Sequence, residues 1–221
     1  MEGIVLFAAG SPVAAELEES CARLGWPILA AYRNRPGRVW TSEAIAVVDV
    51  DAATVLRAPV LLPLFTPANR QVALDEARGL GATHFPALID PTAIVPRALA
   101  AGEGAYVNAG CTIGAAVHLG RFAFVNRAAS LGHHCVLGDF ASVGPGAVLA
   151  GQVQVGEAAM IGAGAVVLPG VRIGARAVVP AGAVLRHDLP DGSAPSTRTR
   201  ANLVVGWDGN VSAASDATVR R

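Results

Sequence analysis

The chain has 221 residues, of which 52% are hydrophobic, only 15% charged and 5% aromatic, with a formal net charge of zero. That balance excludes the basic footprint of a nucleic-acid binder, and no acidic-polymer partner is expected either. No basic N-terminal region, signal-type cleavage site or apolar run of spanning length occurs, which predicts a cytoplasmic protein with no membrane span.

Residues 1–90 alternate strand and helix patterns, which predicts a small parallel α/β domain of Rossmann-like type. Gly3–Ala8 reads as a buried strand, and Pro12–Leu24 as a helix with Ser11 as N-cap, Pro12 in the first turn and Gly25 as its stop. Glu16, Glu18 and Glu19 lie early in it, where the helix dipole favours acids. Strands are expected at Pro27–Tyr32, Ala44–Val48 and Val60–Phe65. Pro67–Leu80 reads as a helix capped by Thr66, and Phe85–Ile89 as a last strand leading into the next segment. The first strand–helix turn carries a single glycine, in Ala8-Ala9-Gly10-Ser11-Pro12-Val13. Such a turn serves equally as a plain connection or as a phosphate cradle. Asp49 and Asp51 follow a strand, where a ribose could be met, but ordinary loop acids are the better reading.

From Ala93 to Asp188 the chain divides into sixteen hexapeptides without insertion. The third position is Val, Ile or Leu in every one but the second, where it is Ala101; the first is small or aliphatic and the fourth often Gly. A period of six predicts a β-solenoid, one short strand and one turn per hexapeptide and three hexapeptides per coil. Third-position side chains point inward and meet their equivalents eighteen residues away, so Leu137, Val155 and Ile173 should touch. The glycines of the repeat are expected to relieve turns with unusual backbone angles. Residues 91–188 are assigned to this solenoid, and 189–221 to a connector and tail with a possible hairpin around Asp208-Gly209.

Chemistry-bearing residues are few. Cys111 and Cys135 occupy small inward positions and, like Cys21, read as buried reduced thiols. Of five histidines only His133 and His134 are adjacent. Coil arithmetic stacks His133 between Ala115 and Gly151, leaving room beside an imidazole on an outer edge. His118 lies off that line and no zinc-type spacing occurs, so no metal is expected.

The order of an α/β segment, then PALIDPTA, then hexapeptides containing VNRAASLGHHCVLGDFASVGPGAVLAG resembles the NeuD/PglD family of bacterial sugar acyltransferases. The run Asn126, His133, Cys135, Val136, Gly138 adds specificity beyond the repeat. The resemblance covers Gly3 to about Gly192. It implies a left-handed β-helix, a homotrimer, and acetyl-CoA as co-substrate lying between adjacent β-helices. It also implies an acyl-CoA-dependent acyltransferase acting on an amino group or hydroxyl of a sugar or nucleotide-activated sugar, in cell-surface polysaccharide biosynthesis.

Carried over by position, His133 is the general base, with His134 beside it in the catalytic pair. Asn126, Gly10 and Ser11 contact the acceptor. Ser142, Gly151, Ala163 and Ala181 contact the co-substrate, Gly151 through its backbone N–H at the developing oxyanion. The sequence departs from the family pattern at several points. His134 stands where the family has an acid, so a backbone carbonyl is expected to orient His133. Ser142 replaces a second histidine, Arg33-Asn34 an acidic pair, and the Val-x-Gly-x-Pro-Ala close is absent. These departures also fit a diverged, non-catalytic trimeric scaffold. A γ-carbonic-anhydrase-like metal site is the least supported alternative.

Overall fold

The computed structural model describes residues 3–193. The N-terminal region folds as β1 (Ile4–Phe7), α1 (Val13–Leu24), β2 (Ile28–Arg33), β3 (Val47–Asp49), β4 (Val60–Leu61) and α2 (Pro67–Gly79). Its four strands form one parallel sheet in the order β3-β2-β1-β4. β1 is buried along its whole length, as a strand covered on both faces must be.

Several boundaries differ from the sequence reading. α1 begins at Val13 with Pro12 in the cap position, and Ser11 contributes by accepting the Val13 N–H at 3.3 Å. Thr66 occupies the cap of α2, but its side chain makes no capping bond. β4 is only Val60–Leu61, because Pro63 cannot donate to a ladder and the Leu64 N–H turns back to the Leu62 carbonyl at 2.8 Å. The third strand sits at Val47–Asp49 rather than Ala44–Val48.

Strands β5 (Leu88–Ile89) to β20 (Val184–Leu185) are two residues each and stack in three parallel sheets, the three faces of a left-handed β-helix. Every strand occupies the second and third positions of a hexapeptide, so one side chain points out and the next points in. Leu137 pairs with Val155, and Val155 with Ile173, in the register expected from the period. The inward column from Val107 to Val179 is buried throughout.

The β-helix begins earlier and ends later than its regular period. Leu88–Ile89 pairs with Tyr106–Val107 and so belongs to the first face, not to the N-terminal sheet. Residues 87–92 are themselves a hexapeptide, with Ala87 first and Ile89 third. At the other end Ile173 bridges Leu189, and the Val178 N–H donates to the Ser193 carbonyl at 2.8 Å. The hairpin expected around Asp208-Gly209 lies outside the described residues.

The glycine explanation holds at the sixth position, where Gly104, Gly110 and Gly146 have φ of 64°, 69° and 65°, and changes at the fourth. Left-handed angles fall at the sixth position, where ordinary residues adopt them too: Phe122 has φ 55°, His134 58° and Phe140 58°. Fourth-position glycines are demanded by space instead. A Cβ on Gly132 would lie 2.6 Å from the Gly151 nitrogen in the next coil.

The outward column of each face has its own chemistry. The first face presents Leu88, Tyr106, Phe124 and Ser142, and the N-terminal region covers it. Phe65 meets the edge of Phe124 at 5.5 Å between centroids, and Phe124 meets Tyr106 at 4.9 Å. Beneath α1, the fully buried Asp90 accepts from Ser20 Oγ at 2.6 Å, Thr92 Oγ1 at 2.6 Å and Arg23 Nη1 at 2.7 Å. The second face carries Ile94, Thr112, Ser130, Val148, Val166 and Val184, a column apolar but for the Thr112 and Ser130 hydroxyls, with Ile94 69% and Val184 45% exposed. The third is more polar, with His118, Gln154 and Arg172. The histidine pair lies on the corner between the second and third faces.

Candidate active site

His133 and His134 fill the fifth and sixth positions of their hexapeptide, so they occupy a corner rather than a strand. The left-handed backbone of His134 turns the chain, and both side chains are exposed. The corner is fixed from both sides. The His134 N–H donates to the Ala115 carbonyl at 2.9 Å, and the His133 carbonyl accepts from the Gln152 N–H at 2.8 Å. The His133 imidazole lies against Gly151, where a Cβ would come within 2.7 Å of both Cε1 and Nε2. Gly151 is therefore the floor on which the ring rests. Its N–H carries no hydrogen bond among the described residues.

The two rings meet at nearly a right angle, 84°, with Nδ1 of His133 3.1 Å from Nδ1 of His134. One proton serves that contact. When His133 donates it, its Nε2 keeps a free lone pair, and His134 holds its own proton on Nε2. The partner that orients His133 is thus the neighbouring ring, where the sequence reading expected a backbone carbonyl. Cys135 beside them is buried and donates to the Ala150 carbonyl at 3.1 Å. Burial pushes its thiol upward, as it pushes Cys21 to about 12 and Cys111 to about 11, so these are not thiolate nucleophiles.

The other sequence-chosen residues lie elsewhere in the same chain. Asn126 stands on the corner between the first and second faces, where its Oδ1 accepts from Asn108 Nδ2 at 3.0 Å and from the Arg127 N–H at 2.8 Å. Ala163 and Ala181 stack on that same corner, exposed. Their N–H groups carry no hydrogen bond among the described residues. Arg127 also pairs with Glu16, which brings the first turn of α1 to this corner. Ser142 is not with either group. It is fully buried on the first face, where its Oγ donates to the Phe65 carbonyl at 2.7 Å and accepts from Arg70 at 2.9 Å.

Gly10 and Ser11 line a cleft of about 660 Å³ at the carboxyl ends of β1, β2 and β4. Parallel α/β sheets hold ligands at that edge. The lining also brings residues the sequence reading did not single out, Arg35, Arg38, Trp40 and Asn69, and the Trp40 N–H donates to the Ala9 carbonyl at 3.3 Å. The Arg38 guanidinium lies 4.2 Å from the Trp40 ring centroid. Their signal was the cationic run after the second strand, Arg33-Asn34-Arg35-Pro36-Gly37-Arg38. Asp49 and Asp51 serve local structure. Asp49 accepts Arg33 at 2.6 and 2.8 Å, and Asp51 accepts the Ala53 N–H and Thr54 Oγ1. Among the described residues no cluster of three metal-binding side chains occurs, and no helix is long and apolar enough to cross a membrane.

Comparison with known proteins follows the same architecture. Residues 152–187 match the family described as bacterial transferase hexapeptide (six repeats). Comparison with curated proteins finds no match. Among solved structures, the chain resembles GDP-perosamine N-acetyl transferase from Caulobacter crescentus, solved as a histidine-to-alanine mutant with CoA and GDP-perosamine. The two are 33% identical over 86% of this chain and 91% of that one, with a TM-score of 0.76. The chain belongs to the hexapeptide-repeat family of sugar acetyltransferases. This acetyltransferase also resembles the acetyltransferase domain of PglB from Neisseria gonorrhoeae, solved with acetyl coenzyme A. That match is 27% identical, covers 86% and 94% of the two chains and has a TM-score of 0.77. WeeI from Acinetobacter baumannii shares the fold at 22% identity and TM-score 0.69, over 86% and 94% of the chains.

Proposed function

We propose that this acetyltransferase moves an acetyl group from acetyl-CoA to an amino group or hydroxyl of a nucleotide-activated sugar, with His133 as general base. One observation carries the reading: the His133 ring rests on Gly151 with Nδ1 3.1 Å from Nδ1 of His134, a contact that leaves the Nε2 lone pair free when His133 is the donor. Neutral imidazole is suited to accept a proton near neutral pH. Nε2 takes the proton from the acceptor as its nitrogen or oxygen attacks the thioester carbonyl carbon. The carbonyl π pair moves onto oxygen, where the Gly151 N–H, unpaired among the described residues, is the proposed donor. Collapse breaks the carbon–sulfur bond, and the His133 Nε2 proton passes to the departing CoA sulfur. Atoms and protons balance without a covalent enzyme intermediate.

The site is shared between copies. His133, His134 and Gly151 border the apolar second face on one side; Asn126, Ala163, Ala181 and the first turn of α1 border it on the other. A closed ring of three copies packed on that face sets the two corners side by side, with the co-substrate between them. The acceptor then reaches from the cleft at Gly10 and Ser11 of one copy to His133 of the next. The neighbours that bind CoA, and GDP-perosamine in one case, support both ligand classes.

The experiment is acetyl transfer from acetyl-CoA to a panel of GDP- and UDP-linked amino sugars, GDP-perosamine included, followed by released thiol. The expected result is turnover of one panel member by the parent and a loss of roughly 10²- to 10⁴-fold in His133→Ala. Equal rates in the two proteins would overturn the assignment of the base.

A further inference from the structure

Arg70 in α2 is 2% exposed, and no carboxylate pairs with it among the described residues. All five of its N–H groups are used. Nε donates to the Phe122 carbonyl at 2.9 Å. Nη1 donates to the carbonyls of Leu64 at 2.5 Å and Phe65 at 2.8 Å. Nη2 donates to the Phe140 carbonyl at 2.7 Å and Ser142 Oγ at 2.9 Å. The guanidinium also lies 5.6 Å from the Phe124 ring centroid.

These acceptors belong to two parts of the molecule. Leu64 and Phe65 lie in the loop between β4 and α2, and with Thr66 they form one wall of the cleft. Phe122, Phe140 and Ser142 lie in two successive coils of the β-helix. The loop has no ladder of its own, and no backbone N–H among the described residues donates to the Leu64 or Phe65 carbonyl. The carbonyls of Phe122 and Phe140 likewise accept no backbone N–H. Burial pushes the guanidinium down to about 9, while its five acceptors favour the charged form. If α2 needed only packing, an apolar side chain would bury here at lower cost. An apolar side chain could not tie the loop to the β-helix; a planar fork with five donors can.

We infer that Arg70 is a positioning residue for the acceptor: it anchors the Leu64–Phe65 wall of the cleft onto the β-helix. The inference rests on the proposed reading of that cleft as the acceptor site. Ser142, which accepts Arg70 and donates to Phe65, is the second member of the clamp.

The test uses the full chain as Arg70→Lys and, as a milder variant that keeps the guanidinium, Ser142→Ala. Hydrogen exchange should show residues 62–66 opening about tenfold more often in Arg70→Lys, with β-helix protection unchanged. Calorimetry with GDP, UDP and acetyl-CoA should show the diphosphate that the parent binds weakened about tenfold, and acetyl-CoA weakened less than about twofold. Ser142→Ala should change both readouts in the same direction by a smaller factor. Unchanged exchange at residues 62–66, equal loss of protection throughout, or parallel loss of both ligands would overturn the inference. A parent that binds neither diphosphate, while the loop still opens in Arg70→Lys, would overturn the acceptor reading instead.

Discussion

At the residue scale the unusual feature is a second imidazole set edge-on against the proposed base. Where His133 donates across the 3.1 Å contact, His134 accepts through Nδ1. Ala115 and Ala116 below, and Gly151 and Gln152 above, bring no charged group to the corner. His134→Ala should therefore keep activity well above that of His133→Ala, since the ring floor at Gly151 remains. His134→Glu should keep or raise activity, because a carboxylate accepts the Nδ1 proton and favours the charged imidazole. The same effect should move the acidic limb of its pH–rate profile to higher pH. A pH–rate series across the three variants checks this order, and a larger loss at His134 than at His133 would exchange the two roles. Coil arithmetic placed Gly151 beside His133, and the ring lies against it, whereas the role proposed for His133 came from the family resemblance. The Nδ1 contact between the two rings was not legible in the sequence, since it depends on side-chain rotamers, which no sequence period encodes.

At the element scale the hexapeptide is the unit, and its third position is the most demanding. Val155 is 3% exposed between Leu137 and Ile173. Val155→Asp buries an unpaired carboxylate at a cost of several kcal/mol. A thermal melt should show the variant unfolded or strongly destabilised, and a parent-like melt would refute the register. Sixteen hexapeptides were legible because stacked coils force each third side chain into the same column. The hexapeptide at residues 87–92 was hidden because its outward partner is the N-terminal region, so Leu88 and Ile89 are both apolar and read as an ordinary strand. The cleft wall at Arg35, Arg38 and Trp40 lies in a loop, where no periodicity marks a side chain's direction.

At the scale of the whole molecule, two parts are joined by polar as well as apolar contacts. Asp90 lies at the junction with α1. Burial would raise its carboxyl, but bonds from Ser20, Thr92 and Arg23 outweigh that and hold it at about 2. A depressed folded value means the stabilisation is fully present above the ordinary carboxylate range near 4. It is lost as pH falls from about 4 to about 2, and amounts to roughly 2 kcal/mol. Asp90→Asn should melt lower than the parent at pH 7 and converge with it toward pH 2. A constant gap across that window would contradict the role given to Asp90.

The exposed, largely apolar second face is the junction proposed between copies, and the two halves of the proposed site border it. Mixed trimers test this most directly. His133→Ala subunits keep an intact cleft; Arg38→Ala/Trp40→Ala subunits keep an intact base. Each homotrimer should be inactive. Co-refolded at equal ratio, one interface in about four joins a good cleft to a good base, so about a quarter of parent activity should return. No recovery in trimers shown to be mixed would contradict a site built from two copies.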